Sequence, residues 1–411
     1  MSATQSPKNI VVVGGGPAGV FAAIEAKRTD PAAHVLLLTD EACEPYEKPP
    51  LSKAVLTGKA LPEHALIAGP GGTAAHNIVL EQAALCTAID RAAHEVAAAD
   101  GRRYRYDALV LATGSLVREL PQLPLGMPRV HYLRSHGDAR ALAAALGQCK
   151  HLVVVGGGLI GLEAAASAAE LGIRTTVLEV APRILPRVCD EETGAFIAEE
   201  HRRHGVDLHI ATAIVGVRGT AAAVEIETSA GAILSTDAVV VGTGVKPNDA
   251  LAASAGLKTD IGIVVDEHCR TTDPAIFAAG DAVRFPSPHG VVRLENWKHA
   301  LDQGAVAGRN SAGASEAYRP VPSFWSEQYD LYIQGVGWPA SPPDRRIRRP
   351  LKGKSMLVLE IAGGVLVYAM GINAQRDLAA ARRLIERKIK VDPAALADPD
   401  RPLASLLKGN A

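Results

Sequence analysis

Two stretches of this chain carry the same pattern of apolar and glycine positions. Ile10-Val11-Val12-Val13 is an unbroken apolar run closed by Gly14-Gly15-Gly16-Pro17-Ala18-Gly19, and Leu152-Val153-Val154-Val155 is closed by Gly156-Gly157-Gly158-Leu159-Ile160-Gly161. A run without polar alternation predicts a strand buried on both faces, as in a parallel sheet. Alanine-rich, helix-forming sequence follows each turn over 20–27 and 162–171, and a second apolar run follows each helix at 35–38 and 175–178. One strand-turn-helix-strand unit is therefore used twice, an internal repeat. Two further apolar runs, 108–111 ahead of Ala112-Thr113-Gly114-Ser115 and 238–241 ahead of Gly242-Thr243-Gly244, mark where the chain leaves or re-enters these units.

From about Phe324 the pattern changes to alternation. Aromatics concentrate (Phe324, Trp325, Tyr329, Tyr332, Trp338), strands are predicted over 356–361 and 365–370, and a basic amphipathic helix over 378–390. The expected fold class is α/β, with two Rossmann-like dinucleotide-binding domains and a C-terminal α+β domain. The expected division runs 1–116 with 245–323, then 117–244, then 324–411. A length of 411 residues suits two or three domains.

Composition narrows the partners. With 48% hydrophobic residues, 21% charged residues and a formal net charge of -1, bulk electrostatics offers no reason to expect nucleic acid or an anionic membrane. Cys43, Cys86, Cys149, Cys189 and Cys269 lie far apart, with no C-x-x-C pair and no metal-ligand spacing. That pattern predicts no metal centre and no adjacent redox disulfide, and it fits a reducing compartment. The polar start over 1–9 and the glycine-broken run after it read as neither a secretory signal nor a spanning helix, so a cytoplasmic protein is expected.

Gly14, Gly16 and Gly19 satisfy G-x-G-x-x-G between a strand and a helix. Such a turn lets backbone approach a pyrophosphate while the helix N-terminus faces its charge. Asp40 ends the second strand, within reach of a ribose hydroxyl. A tight turn that binds nothing is the competing explanation, and the complete strand-helix-strand frame argues against it. Gly156, Gly158 and Gly161 repeat the motif, and Glu179 ends the matching strand. A carboxylate there accepts hydrogen bonds from an adenosine ribose and repels a 2′-phosphate, which favours NADH over NADPH. Arg183 and Arg187 nearby pull the other way. Two dinucleotide sites in one chain imply electron relay, because a nicotinamide delivers hydride and a flavin accepts it and releases single electrons. Ser52 reads as an N-cap, which puts Lys53 in the first turn of a helix, where the macrodipole disfavours a cation. An anionic partner is expected, and Glu163 is the candidate, against the alternative that it merely suits the start of its own helix.

Longer motifs carry a family resemblance. Thr271-Thr272-Asp273-Pro274 with Ile276-Phe277-Ala278-Ala279-Gly280-Asp281 resembles the second flavin motif of the glutathione-reductase-like superfamily. Three segments, Glu44-Pro45-Tyr46-Glu47-Lys48-Pro49-Pro50-Leu51-Ser52-Lys53, Tyr132-Leu133-Arg134-Ser135 and Phe324-Trp325-Ser326-Glu327-Gln328-Tyr329-Asp330, resemble the ferredoxin reductases of oxygenase systems, the putidaredoxin reductase and biphenyl dioxygenase reductase group. The resemblance implies FAD contacts at Ala18, Asp40, Lys48, Lys53, Ala112, Thr113, Gly114, Arg134, Asp281 and Trp297, with Cys86 contacting FAD through its backbone. It implies NADH contacts at the 156–161 turn including Ile160, and at Glu163, Glu179, Arg187 and Gly244. It further implies that Lys53 and Glu163 meet beside the flavin N5, and that Trp325 lies near the nicotinamide face. A lone tryptophan is otherwise more often core packing.

The implied activity is NADH-dependent reduction of FAD followed by single-electron transfer to an iron-sulfur ferredoxin that feeds a Rieske-type or cytochrome P450 oxygenase. A monomer is expected. Arg345, Arg346, Arg348 and Arg349, with Arg382, Arg383, Arg387 and Lys388, could form a docking surface for an acidic ferredoxin, although solvated faces are the commoner explanation for such runs. Two alternatives stay open: an NADH oxidase or peroxidase, which needs a redox-active cysteine facing the flavin, and a binding flavoprotein like apoptosis-inducing factor, which needs a basic surface.

Overall fold

The computed structural model describes residues 7–220 and 223–408, so most of the polar stretch 1–9 lies outside the described residues. The chain forms two compact units, one from the residues up to 49 with 61–116 and 245–320, the other from 50–60, 117–244 and the residues from 321 onward.

The first unit is built on a five-stranded sheet in the order Ile276–Ala278, Ala108–Leu111, Asn9–Val13, His34–Leu38, Val79–Glu81. Every neighbouring pair is parallel. Ile10, Leu37 and Leu109 are fully buried, as expected of strands covered on both faces. The predicted helix over 20–27 is observed as Pro17–Thr29, with Pro17 in the first turn, where a missing N–H costs nothing. It packs closely on helix Trp297–Ser311: a Cβ on Gly304 would come 2.1 Å from the Ala18 carbonyl oxygen, and one on Gly308 would come 2.1 Å from that of Ala22.

In the second unit the repeat recurs. Val206–Ile210, Arg174–Glu179, His151–Val155, Ala238–Val241 and Val130–Tyr132 lie side by side, all parallel. In both units the strand before the glycine turn is central, and the chain order reverses beside it, the place where open α/β sheets bind ligands. The C-terminal residues form a five-stranded antiparallel sheet ordered Ser323–Gln328, Leu331–Gly337, Val365–Ile372, Met356–Ala362, Arg345–Pro350. Helix Gln375–Glu386 covers it through Leu378, Ala381 and Leu384.

Two local expectations change. Ser52 does not cap a helix: Pro49–Ser52 is a single 3-10 turn, followed by turns in which the Lys53 and Val55 N–H groups both donate to the Pro50 carbonyl. This stretch, placed in the 1–116 domain from sequence, packs with the second unit. The helix expected over 378–390 stops at Glu386, because Lys388 adopts a left-handed φ of 49° and Ile389 turns into the apolar cluster beneath the sheet.

Candidate functional site

The two glycine turns divide their labour in the same way. Gly14 has φ +120° and a Cβ there would lie 2.1 Å from the Ala112 carbonyl oxygen; Gly156 has φ +113° and its Cβ would lie 2.6 Å from that of Gly242. Both first glycines therefore permit a close chain crossing. The third glycines serve helix packing: Cβ atoms on Gly19 and Gly161 would sit 1.8 and 2.1 Å from the carbonyl oxygens of Gly14 and Gly156. Only the middle glycines, Gly16 and Gly158, face space with no protein atom within 4 Å. Each is also the N-cap of its helix and supplies no side-chain cap, whereas Ser135, Asp190 and Asn296 cap three other helices. Uncapped N–H groups beside an open approach fit an anionic phosphate.

Beside the first turn is a cavity of 390 Å³ lined by Gly14, Asp40, Cys86, Thr113 and Asn248. Asp40 is exposed two residues beyond strand His34–Leu38. Burial, then the Asp40 charge, pushes the Cys86 thiol up to about 12. The Ala112-Thr113-Gly114 turn is clamped by Asn248: Thr113 Oγ1 donates to its carbonyl at 2.5 Å, and its N–H donates to Gly114 O at 2.9 Å. Asn248 was missed from sequence; its signal was the Lys246-Pro247-Asn248 run just after the Gly242-Thr243-Gly244 turn. Asp281 follows Gly280 and accepts from Ser115 Oγ at 3.0 Å. Trp297 opens its helix and donates through Nε1 to Glu47 at 2.5 Å. Burial raises the Glu47 carboxyl above its ordinary range against the effect of that bond. Lys48 is engaged elsewhere, donating to Glu41 and to the Tyr46 hydroxyl, each at 3.2 Å. Ala18 is buried and its carbonyl lies under Gly304, so it serves packing as well.

At the second turn, Glu179 is tied to the backbone. Its Oε2 accepts from Gly157 N at 2.6 Å and its Oε1 from Ala181 N at 2.7 Å. Each oxygen keeps a further lone pair for a ribose hydroxyl. Val180, next along, is 72% exposed and offers no charge to a 2′-phosphate. Arg183 folds onto its own loop, donating to carbonyls of Ile184, Leu185, Pro186 and Asp190, while Arg187 is exposed. Ile160 is 48% exposed in the first turn of helix Leu159–Glu170, and Gly244, at φ +102°, borders open space. Arg134 directly precedes the Ser135 cap of helix His136–Leu146, and its N–H donates to Asp138.

Lys53 and Glu163 meet. Lys53 Nζ lies 3.3 Å from Glu163 Oε2, which also accepts from the Ser52 hydroxyl, and Glu163 Oε1 accepts from Ser326 Oγ at 2.6 Å. Glu163 is only 3% exposed. The expected partner is found without the expected helix: the turn after the two prolines, pinned by Ser167 Oγ donating to Ser52 O at 2.8 Å, brings both Ser52 and Lys53 to one carboxylate oxygen. Trp325 lies on the neighbouring position to Ser326, half-buried, on the opposite face of its strand.

The five cysteines are all unbonded, and burial raises every thiol, Cys149 and Cys189 to about 11. Among the described residues there is no group of histidine, cysteine or carboxylate side chains that could hold a metal. Nor is any helix there long and apolar enough to cross a membrane. The arginine run of the last sheet is largely consumed internally: Arg346 pairs with Glu360, Arg348 with Asp190 and Glu192, and buried Arg349 donates to the Leu396, Pro399 and Arg401 carbonyls. Arg382 pairs with Glu386, which leaves Arg383 exposed on helix Gln375–Glu386 and Arg387 and Lys388 exposed in the turn that follows it.

Comparison with known proteins fits this geometry. A model described as pyridine nucleotide-disulphide oxidoreductase matches residues 8–304, and one described as reductase C-terminal matches 323–407. The ferredoxin--NAD(+) reductase component of the anthranilate 1,2-dioxygenase system of Burkholderia cepacia is 39% identical over 97% of this chain and 98% of its own. Rhodocoxin reductase of Rhodococcus erythropolis is 36% identical over 95% and 92%. The crystal structure of the covalent putidaredoxin reductase-putidaredoxin complex superposes with a TM-score of 0.92 at 34% identity, over 98% of this chain and 99% of that one. The chain belongs to the pyridine nucleotide-disulphide oxidoreductase family, beside the ferredoxin reductases of oxygenase systems, and is an oxidoreductase of the kind that uses FAD and NAD(H).

Proposed function

We propose that this chain is a cytoplasmic NADH-dependent ferredoxin reductase whose electrons pass to an iron-sulfur protein serving an oxygenase. The observation that carries the reading is the pair of glycine turns, each with its middle glycine open and its helix uncapped, in a chain whose thiols are all unbonded and raised. Residues 1–116, apart from the 50–60 turns, with 245–323 hold FAD, 117–244 hold NADH, and 324–411 form the C-terminal domain. When bound, FAD supplies an acceptor for a nicotinamide hydride and a donor of single electrons to an iron-sulfur centre.

The chain's own residues bind and orient. The N–H groups after Gly16 and Gly158 hold the two pyrophosphates. Asp40 accepts from one adenosine ribose, with Cys86 beside it in the same cavity, and Asp281 holds the ribityl chain. Glu179 accepts from the NADH ribose, and its charge, with neutral Val180 next to it, disfavours a 2′-phosphate. Lys53 and Glu163 orient the nicotinamide, and Trp325 bounds that face. No side chain has to act as a nucleophile. This is also why the NADH oxidase or peroxidase reading is weaker: burial pushes Cys86 up to about 12 and Cys149 and Cys189 to about 11, which leaves little nucleophilic thiolate at neutral pH.

Anaerobic stopped-flow mixing with NADH and with NADPH tests the nucleotide assignment. Flavin bleaching at least about tenfold more efficient with NADH is expected from one repelled phosphate beside a carboxylate. Equal efficiency would remove Glu179 from that role.

A further inference from the structure

Ser326 does not end the contacts of Glu163; it begins a line of buried polar groups. Ser326 Oγ, which donates to Glu163 Oε1 at 2.6 Å, accepts from Gln328 Nε2 at 3.1 Å. Gln328 Oε1 lies 2.9 Å from His201 Nε2, and His201 Nδ1 lies 3.1 Å from the Tyr329 hydroxyl. Ser326 and His201 are 0% exposed and Gln328 is 1% exposed. The residues come from helix Glu191–Arg203 and from strand Ser323–Gln328 with its turn.

The direction of every bond follows from chemistry. An amide oxygen only accepts, so His201 Nε2 carries the proton. Burial holds His201 down at about 4, so at neutral pH the ring is uncharged, Nδ1 is an acceptor, and Tyr329 O–H donates to it. With its oxygen taken by His201, Gln328 must turn its NH2 toward Ser326, and Ser326 gives its proton to the Glu163 carboxylate, which only accepts. Donors thus point one way from Tyr329 to the carboxylate, and hydrogen bonds aligned in one direction polarise one another. The origin of the chain is held at a cost: Tyr329 has φ +55°, a conformation unfavourable for an aromatic residue, and its ring stacks on His204 at 3.7 Å and 10°.

We propose that His201, Gln328 and Ser326 are positioning residues for Glu163, a one-way chain of donors that keeps its carboxylate oriented for the nicotinamide. The inference rests on the reading of Lys53 and Glu163 given under Proposed function. Without the His201 donor the Gln328 amide is free to rotate; its oxygen then takes the Ser326 proton, and Glu163 Oε1 loses its partner. The consequence is a less well-placed carboxylate with the nucleotide site otherwise untouched.

The test is a set of variants of the FAD-loaded protein: His201→Phe, His201→Gln, Gln328→Leu, Ser326→Ala, the His201→Phe/Ser326→Ala double variant, and Glu163→Gln. His201→Phe, Gln328→Leu and Ser326→Ala are expected to slow flavin reduction at saturating NADH about tenfold, a typical penalty for a displaced positioning group. NADH dissociation constants should stay within about twofold, because the lost contact is not a nucleotide contact. His201→Gln retains an N–H where Nε2 stands and is expected to restore the rate. The double variant should be no slower than Ser326→Ala alone, because His201 acts only through that hydroxyl. Independently of turnover, ¹⁵N-histidine spectra at pH 7 should show a neutral ring protonated at Nε2, absent in His201→Gln and losing that preference in Gln328→Leu. Additive losses in the double variant, no rescue by glutamine, or a ring protonated at Nδ1 would overturn the inference. Unchanged reduction by Glu163→Gln would instead remove the reading of the Lys53 and Glu163 pair, and the positioning role with it; slowed reduction by Glu163→Gln with an unaffected His201→Phe removes the positioning role alone.

Discussion

Lys53 is the residue whose environment is most unlike that of an ordinary surface lysine. It sits on a turn, 19% exposed, with Glu163 as its counter-ion in a pocket closed by two hydroxyls. Removing it leaves a buried carboxylate with only hydroxyl donors, which costs orientation at the reacting end and nothing at the ribose end. Lys53→Ala should therefore slow reduction by NADH about tenfold while NADH affinity, which the proposed function assigns to Glu179 and the glycine turn, changes little. Unchanged reduction kinetics would return Lys53 to a structural role. Glu179→Ala should act in the opposite way, narrowing the difference between NADH and NADPH and sparing the limiting rate. Glu163 was legible as the anion Lys53 needed, although the helix that motivated the search is absent. Ser326, Gln328 and His201 were not legible as a group: they are ordinary polar residues whose meeting depends on a tertiary contact 125 and more positions away along the chain, since |i−j| is 127 for His201 and Gln328 and 163 for Ser326 and Glu163.

At the level of elements, the repeated strand-turn-helix-strand unit could be read because buried parallel strands and glycine turns write their constraints locally. The close pairing of helices Pro17–Thr29 and Trp297–Ser311 could not, although Gly304 and Gly308, four residues apart, were its trace. This difference predicts two distinct glycine phenotypes. Gly304→Ala puts a methyl 2.1 Å from the Ala18 oxygen and should destabilise the fold by about 1–3 kcal/mol, seen as a lower melting temperature with or without FAD. Gly16→Ala meets no protein atom within 4 Å and should melt like the parent when stripped of FAD, yet retain far less FAD on purification. Equal FAD retention in Gly16→Ala would contradict the pyrophosphate assignment. The end of helix Gln375–Glu386 was misjudged because a left-handed lysine, and not a glycine, terminates it.

Across the whole molecule, burial of histidines sets a pH dependence, most strongly at His201 and His299, with His131 lowered as well. Burial holds His201 at about 4 and His299 at about 3. Below pH about 6.5 the unfolded chain takes up protons at these positions that the folded protein refuses, so stability falls as pH drops, each histidine steepening the loss by about 1.4 kcal/mol per pH unit until its folded value is reached. Above about pH 7 none of them contributes a slope. Urea unfolding at pH 7, 6 and 5 should show this decline, shallower in His201→Gln; a flat profile would show that these rings are not held neutral. The lowered carboxyls of Asp190, Asp237 and Asp273 add to the slope only further down, in the carboxylate range. The central claim, that two nucleotide sites pass electrons outward to a protein partner, is tested most directly by anaerobic titration. One equivalent of NADH should bleach the flavin, and an oxidised [2Fe-2S] ferredoxin, accepting one electron per molecule, should restore its colour at about two equivalents. Reoxidation by a disulfide or by peroxide, with no response to any ferredoxin, would contradict it.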